Sequence, residues 1–340
     1  MKQLRKTTLA AAGLLAAAQA GAWNAAGHRA VGTIADRLIA GTPAAIEVRK
    51  ILGSNLRTAA VWADCAKGVS TTTFQYQGAG AFPECAIYEN PASQKQMEAF
   101  VRRNHANCTS PHNTESCHKQ YHYTDVAIQR SEYRAGYVGT SEQDLVAAIN
   151  AALAVLQDRA PAPPFHIAGK REALRLLAHY VGDIHQPLHV AAVYVDRQGK
   201  VVDPDEGSFD PRSETHGGND LLLQVVQGGV PKTIKMHGDW DNVHGAVPWD
   251  QPPAAVLKQA RAVAKTTGDL STWSTAWATE SLRLGAKAYA GLQYAPESPA
   301  HQHATTLPAG YADEVRTPAQ REQVVKAGAR LAQLVRALWP

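Results

Sequence analysis

Residues 179–189 read His-Tyr-Val-Gly-Asp-Ile-His-Gln-Pro-Leu-His. We expect a helix ending near Asp183, and because residues four apart share one helix face, His179 and Asp183 would project to one point. Pro187 cannot continue the helix, so the chain would turn and bring His189 back beside the helix end. The two oxygens of the Asp183 carboxylate could bridge two metal ions. The stretch therefore predicts a polynuclear metal site rather than a closed structural zinc.

The alternative interpretation of the same stretch is a buried, hydrogen-bonded histidine followed by a helix-capping aspartate. An isolated His-x3-Asp pair would favour that alternative. The motifs in the rest of the chain favour a metal site instead.

The first 22 residues have the pattern of a secretory signal peptide. Positive charges precede an apolar segment from Leu9 to about Ala18, and the small residues 20–22 suit a cleavage site. The apolar segment is shorter than the roughly 20 residues that a membrane helix needs. We therefore expect cleavage after Ala22 and a mature protein, residues 23–340, that is secreted or periplasmic and has no membrane span.

Cleavage would also create a metal ligand. The free amine of Trp23, together with its own carbonyl, could bind a metal in a bidentate manner, and His28 lies five residues further on. No internal residue offers such a pair.

The charge balance gives no indication of a strong basic field. The formal net charge is +4, and loss of Lys2, Arg5 and Lys6 with the signal lowers it from +4 to +1. Electrostatic attraction alone would therefore not gather nucleic acid on this surface.

Four cysteines occur in one region and lack zinc-finger spacing, which favours two disulfides in an oxidising compartment. They are Cys65, Cys85, Cys108 and Cys117. Sequence order favours Cys65 with Cys85 and Cys108 with Cys117, although four cysteines allow three connectivities.

Helix signals dominate the rest of the chain and predict an all-α fold with a single domain. Thr42-Pro43 and Thr317-Pro318 are typical helix starts, and the second precedes an apolar segment that ends near Leu338. Residues 145–156 and 270–290 have helical spacing of apolar residues. Two segments, residues 190–195 and 221–226, look strand-like and could form a small β-ribbon. Long loops are predicted at residues 70–90, 197–215 and 296–310.

The chain resembles the S1/P1 nuclease family over nearly all of its mature length. The resemblance rests on several motifs in the same order: WNAAGH (23–28), VWAD (61–64), HYTD (122–125), the 179–189 stretch, HGGND (216–220) and WATES (277–281). Members are secreted zinc-dependent endonucleases that degrade single-stranded DNA and RNA to 5′-mononucleotides and also act as 3′-nucleotidases. The resemblance implies the mainly helical fold of the phospholipase C/P1 nuclease type, and we expect a monomer.

The resemblance also implies three zinc ions per chain. The first would bind Asp64, His122, His179 and Asp183; the second Trp23, His28 and Asp183; the third His189, His216 and Asp220. The motif His237-Gly-Asp-Trp-Asp241 resembles another family motif, which we interpret as packing around the site. These nitrogen and oxygen ligands suit zinc better than calcium or magnesium.

Three further residues, Lys67, Tyr123 and Asp125, match positions near the substrate in the family, where the zinc ligand Asp64 also has a role. Asp64 would help to orient the attacking water, and Lys67 would offset phosphate charge in the transition state, although an exposed surface lysine is the alternative. Tyr123 would stack on a base and Asp125 would accept a hydrogen bond from its edge, which requires an unstacked base and predicts single-strand preference. Tyr123 could equally be a packed core aromatic residue.

Two other functions compete with this interpretation. A zinc-dependent phospholipase C is similar in fold, but the short spacing from Trp23 to His28 and the aspartate at Asp220 favour the nuclease. An exported protein that binds zinc or nucleic acid without turnover would not need a bridging Asp183 or a neighbouring Lys67.

Overall fold

The computed structural model of the protein describes residues 23–106, 108, 115–243 and 248–340. The signal peptide predicted for residues 1–22 lies outside the described residues. Within the described ranges, twelve α-helices carry most of the structure, so the prediction of a mainly helical fold is confirmed. They are α1 (Ala25–Ile39), α2 (Pro43–Leu52), α3 (Leu56–Ala59), α4 (Trp62–Ala66), α5 (Pro91–Asn104), α6 (Cys117–Gln120), α7 (Leu145–Leu156), α8 (Lys170–Asp183), α9 (Met236–Asp241), α10 (Ala254–Ala262), α11 (Leu270–Ala288) and α12 (Thr317–Leu338).

Short polar side chains start several of these helices by accepting hydrogen bonds from free backbone N–H groups. Asn24 caps α1, Asn90 caps α5, and Asp144 accepts from two N–H groups at the start of α7. The predicted start of α2 at Pro43 is observed, whereas Thr317, predicted to be the N-cap before Pro318, is itself the first residue of α12. Local sequence therefore positions the starts of α1, α5 and α7.

Helix α8 lies in the interior and contacts α1, α2, α3, α4, α7 and α12. Every residue from Leu176 to Asp183 is buried. Helices α1 and α12 pack closely because Gly328 faces Ile34, where an added Cβ would come within 2.6 Å of the isoleucine Cβ. The helices that surround α8 enclose its polar C-terminal turn in the centre of the protein.

The strands in the described ranges are short and form three small sheets. Strand β1 (Val126–Ala127) pairs in parallel with β2 (Ala191–Ala192), and β3 (Tyr194–Val195) pairs antiparallel with β4 (Val201–Val202). The third sheet has the order β6-β5-β8-β7, formed by β5 (Leu221–Gln227), β6 (Val230–Lys235), β7 (Gln293–Tyr294) and β8 (His303–Thr306).

These sheets correct the predicted β-ribbon. The strand-like segments 190–195 and 221–226 are strands, but they do not pair with each other: β5 pairs with β6 and β8. Residues 191–195 are also fully buried rather than at the surface. Strand β8 lies inside the segment 296–310 that was predicted to be a loop, because its pairing with Leu221 and Leu222 is a tertiary contact.

Both disulfides follow the pairing that sequence order favours, Cys65 with Cys85 and Cys108 with Cys117. The first joins α4 to the 3₁₀ helix Pro83–Tyr88, and the second closes a short loop before α6. Among the described helices, none combines the length and the apolar character needed to cross a membrane.

Candidate metal centre

The C-terminal turn of α8 brings His179 and Asp183 together, as the four-residue spacing predicts. His179 Nε2 lies 3.2 Å from Asp183 Oδ2, and both side chains are completely buried. A buried carboxylate is costly unless positive or polar groups surround it. The neighbouring elements supply such groups.

Helix α4 contributes Asp64 to the same cluster, and the turn after α6 contributes His122. His122 Nδ1 lies 3.0 Å from both Asp183 Oδ2 and His179 Nε2. Asp64 Oδ1 lies 3.6 Å from His179 Nε2 and 3.8 Å from His122 Nδ1. The structure therefore brings together all four residues predicted for the first zinc.

The other oxygen of Asp183 faces helix α1. His28 Nε2 lies 3.3 Å from Asp183 Oδ1, and the His28 ring stacks on His179 with centroids 3.8 Å apart. Trp23 is buried beside them and donates a hydrogen bond from its indole nitrogen to the Gly182 carbonyl at 2.9 Å. The carboxylate of Asp183 thus lies between two groups of ligand atoms, as a bridging role requires.

The polar atoms at this point that lack a hydrogen bond among the described residues include both ring nitrogens of His28 and Asp183 Oδ1. Buried polar atoms without partners are uncommon in folded proteins. A metal cation would satisfy Asp183 Oδ1 and one His28 nitrogen. The ligands are nitrogen and oxygen, and both disulfides exclude thiolates, so the donor set fits zinc.

The hydrogen bonds of the histidine rings leave one nitrogen available for a metal. His179 Nδ1 donates to the Ala60 carbonyl at 2.6 Å, and His189 Nδ1 donates to the His122 carbonyl at 2.7 Å. Each bond places a proton on Nδ1, so Nε2 is the nitrogen that points into the cluster and would bind a metal. Metal-binding histidines in proteins are commonly oriented in this way.

The local electrostatics keep the carboxylates ionised and His122 neutral. Burial would raise the pKa of Asp183, but the charge on His179 and a hydrogen bond from His122 hold it well below its usual range. Burial opposes ionisation of Asp64 too, but Lys67 and His179 keep the pKa of that carboxyl low. Burial, together with the charge of Lys67, lowers the pKa of His122 to about 3. These are the protonation states in which the groups bind metal.

A second group of ligand atoms surrounds His189. His189 Nε2 lies 3.0 Å from His237 Nε2 and 3.6 Å from Asp241 Oδ1, and His237 Nε2 lies 3.5 Å from Asp241 Oδ2. All three residues are buried, and the His237 Nδ1 proton is held by the Gly217 carbonyl at 2.8 Å. Helix α9 supplies His237 and Asp241 at the same four-residue spacing as the pair on α8.

This group corrects the predicted third site, in which His216 and Asp220 accompany His189. Of the described residues, those whose ligand atoms lie within 4.8 Å of one another around His189 are His237 and Asp241. His216 is 47% exposed and pairs with Asp220 Oδ2 at 2.5 Å. The backbone of His216 and of the next two glycines has positive φ angles of 49°, 57° and 86°, and this turn presents a carbonyl rather than the His216 ring to His237.

The sequence carried a signal for the missed pair. The motif His237-Gly-Asp-Trp-Asp241 was interpreted as packing only, yet its spacing repeats that of His179 and Asp183. The motif therefore deserved the same interpretation as the pair on α8.

The comparison with known families agrees with this geometry. The S1/P1 Nuclease family profile matches residues 23–339, nearly the whole chain. The chain belongs to the S1/P1 nuclease family. A comparison with curated protein sequences finds no match. The S1/P1 nucleases are zinc-dependent hydrolases of phosphodiester bonds in nucleic acids, and among the described residues of this nuclease two His/Asp clusters could bind metal.

Lys67 and Tyr123, two of the substrate residues predicted for this nuclease, differ in their contacts with the first cluster. Lys67 Nζ pairs with Asp64 Oδ1 at 2.8 Å, and only 9% of the lysine side chain is exposed, so an exposed surface lysine is excluded. Tyr123 is half-buried, and its hydroxyl donates to Glu115 Oε2 at 3.1 Å.

Asp125 is buried beside a second carboxyl group. Burial raises the pKa of Asp125 well above its usual range, and the neighbouring Glu214 raises it further. A protonated Asp125 would donate a hydrogen bond rather than accept one, which differs from the role predicted for it.

Proposed function

We propose that this protein is a secreted or periplasmic endonuclease that hydrolyses single-stranded DNA and RNA to 5′-mononucleotides and also removes 3′-phosphates. The observation that carries the proposal is the convergence of buried histidines and carboxylates on both oxygens of Asp183. Storage of a metal would not require a shared carboxylate with a buried lysine beside it. Family membership supports the same reaction class.

We propose that three zinc ions bind per chain. Asp64, His122, His179 and Asp183 would hold the first, Trp23, His28 and Asp183 the second, and His189, His237 and Asp241 the third. Bound zinc would supply Lewis acidity, which lowers the pKa of water and neutralises phosphate charge.

The second of these sites depends on processing of the N-terminus. Residues 1–22 would be the signal peptide and residues 23–340 the catalytic domain, which we expect to be monomeric. Cleavage after Ala22 would free the Trp23 amine beside His28. The family match that starts at Trp23, the burial of that residue and the two disulfides support this processing and an oxidising location.

The chain's own residues would prepare the reaction around the scissile phosphate. Asp64 stays ionised, so its carboxylate can orient a water molecule by accepting a hydrogen bond from it. Lys67 would stabilise the negative charge that develops on the phosphate oxygens. Tyr123 would stack on a base, which requires that the base be unpaired, and Asp125 would contact its edge.

The test is release of 5′-mononucleotides from single-stranded DNA and RNA by protein that begins at Trp23. We expect activity that disappears on chelation, returns with zinc, and is lost in Asp183→Asn. Phosphatidylcholine serves as the parallel substrate. Lipid cleavage without nucleotide release would assign a phospholipase activity, and bound zinc without either activity would leave a binding protein.

A further inference from the structure

The WATES motif on α11 has no part in the reaction steps described above, yet it lies against the segment between the two metal clusters. This segment is the corner after α8, residues 184–188, which joins Asp183 to His189. The Ser281 hydroxyl of the motif donates to the Ile184 carbonyl at 2.5 Å, and both residues are buried. Helix α11 also packs against the 3₁₀ helix that ends at His189. The motif therefore supports the backbone that sets the relative position of the two clusters.

His185, inside this corner, is completely buried and uses both ring nitrogens in hydrogen bonds. Nδ1 lies 2.7 Å from the Val181 carbonyl oxygen, and Nε2 lies 2.9 Å from Arg330 Nη1. A guanidinium can only donate, so Nε2 accepts from Arg330 and Nδ1 carries the proton donated to Val181. Carbonyl groups in the last turn of a helix lack partners within the helix. The His185 ring therefore ties the corner to the turn of α8 that ends at Asp183.

Arg330, on α12, is held in place by the WATES motif. Its Nη2 donates to Glu280 Oε2, and Lys326 donates to the other oxygen of the same carboxylate. The guanidinium carbon lies 5.7 Å from the centre of the Trp277 ring, and the His185 ring packs on the same indole with centroids 5.6 Å apart. Only 12% of the Arg330 side chain is exposed, so water competes little for these bonds. A planar guanidinium that donates to two partners has a defined orientation, and Arg330 therefore fixes the His185 ring.

We propose that Arg330 is a positioning residue for the metal centre and acts through His185. Arg330 orients the His185 ring, and the ring ties the corner to the last turn of α8. The corner in turn sets the position of His189 relative to Asp183. Residues that orient metal ligands commonly contribute to metal affinity. The inference rests on the metal binding in the proposed function and adds a role for α11 and α12, which supply none of the ligands assigned above.

The first test measures metal binding by Arg330→Met, which keeps a long side chain and removes the donor to His185. Loss of a ligand's own partner commonly costs 10- to 100-fold in metal affinity, and Arg330 acts through a further residue, so we expect about tenfold weaker zinc binding in a chelator competition. The visible spectrum of protein loaded with cobalt(II) should also shift, because its bands depend on the geometry of the ligands. An unchanged spectrum would overturn the proposal, since a purely structural role of Arg330 would not alter that geometry.

A double variant tests the route through His185. His185→Phe keeps a buried ring but removes both hydrogen bonds, and it should weaken zinc binding about as much as Arg330→Met. The combination of the two substitutions should lose little more than either one alone, because both interrupt the same contact. Losses of zinc affinity that add fully would overturn the proposal.

Glu280→Gln gives an independent measurement should Arg330→Met fail to fold. It removes the charge that anchors Arg330 and leaves the bond between Arg330 and His185 in place. Zinc binding should therefore weaken by a smaller factor than in Arg330→Met. Unchanged zinc binding in both Glu280→Gln and His185→Phe would overturn the proposal.

Arg103→Met is the matched control. Arg103 on α5 pairs with Glu172 in the first turn of α8 at 2.7 Å. Glu172 lies about 16 Å from Asp183 along the helix. Loss of this pair should lower the stability of the protein, as loss of the Arg330 pair should, but leave the zinc affinity and the cobalt spectrum unchanged. An equal change in Arg103→Met would overturn the proposal, because the effect would then be one of general destabilisation.

The outcomes distinguish this inference from the proposed function. If the unmodified protein binds zinc and releases 5′-mononucleotides, and Arg330→Met leaves the zinc affinity or the cobalt spectrum unchanged, the role of Arg330 is overturned while the nuclease assignment stands. If the unmodified protein binds no zinc, the proposed function itself fails, and the inference fails with it.

Discussion

Gln186 donates a hydrogen bond from its side-chain amide to Asp241 Oδ1 at 2.7 Å, and both residues are buried. The Gln186 side-chain oxygen in turn accepts from the Leu188 N–H at 2.7 Å, which fixes the orientation of the amide. One residue of the 179–189 stretch thus links the corner after α8 to the Asp241 carboxylate on α9. The cluster around His189 combines this corner with α9, and Gln186 joins the two.

Replacement of Gln186 by Ala should weaken one zinc site. The Asp241 carboxylate would lose the donor that orients it, and loss of such a partner commonly costs 10- to 100-fold in metal affinity. Competition titration with a zinc chelator measures the effect. Gln323→Ala is the control, since Gln323 is equally buried on α12 and lies outside both clusters. Equal zinc affinity in the two variants would contradict the role of Gln186.

Substitution of single histidines should show which residues bind the third zinc. We expect His237→Ala to bind two zinc ions instead of three and to lose activity by about 100-fold or more. His216→Ala should keep three ions, because the His216 ring pairs with Asp220 and is half-exposed. Metal analysis of the two purified variants gives the answer. Loss of an ion from His216→Ala with full retention by His237→Ala would restore the assignment predicted from sequence.

Substitution of Gly182 should disturb the position of His28. A Cβ at Gly182 would lie 2.8 Å from His28 Nδ1, so Gly182→Ala must displace the ring. We expect about 1–3 kcal/mol less stability and weaker binding of the zinc shared by His28 and Asp183.

Gly238→Ala is the matched control for that substitution. Gly238 lies in α9, and a Cβ there would meet no atom within 4 Å. Urea unfolding and zinc titration of both variants test the pair. A Gly182→Ala protein as stable and as zinc-avid as Gly238→Ala would show that His28 tolerates displacement.

Acid should destabilise the zinc-free protein through its buried histidines. Burial lowers the pKa of His118 to about 3 and that of His185 to about 3, from 6.5 in the unfolded chain. Between these values the unfolded state binds more protons than the folded state, so the free energy of unfolding falls as the pH drops from about 6.5 to about 3. Each such histidine contributes a slope of up to about 1.4 kcal/mol per pH unit.

The variant His118→Leu should reduce that slope by about one proton. Both His118 ring nitrogens are buried without a hydrogen bond among the described residues, so the substitution removes a titrating group and few polar contacts. Urea unfolding of chelated protein at several pH values in this window measures the slope. A slope as steep as that of the unmodified protein would show that His118 is not kept neutral by the fold.

Local sequence patterns predicted a large part of the structure. Helix-capping residues, prolines at helix starts and the spacing of apolar residues are short-range signals, and the helices that start at Pro43, Leu145 and Thr317 follow them. The four-residue spacing of His179 and Asp183 brings both onto one face because helix geometry is the same in every protein. Pairing of each cysteine with its neighbour in the sequence is also a short-range property, and this pairing is the one observed.

The partners of His189 and of strand β5 were decided by tertiary structure. The helix spacing shows that His237 and Asp241 share a face, but not which distant residue that face meets, since this depends on how α9 packs on the corner after α8. The pairing of β5 with β8 joins Leu221 to His303, far apart in the chain, and no local pattern encodes such a contact. Sequence by itself therefore determined the helices and the ligand pairs within them. The folded chain decided which pairs meet, because packing and long-range hydrogen bonds select among arrangements that local geometry leaves equally open.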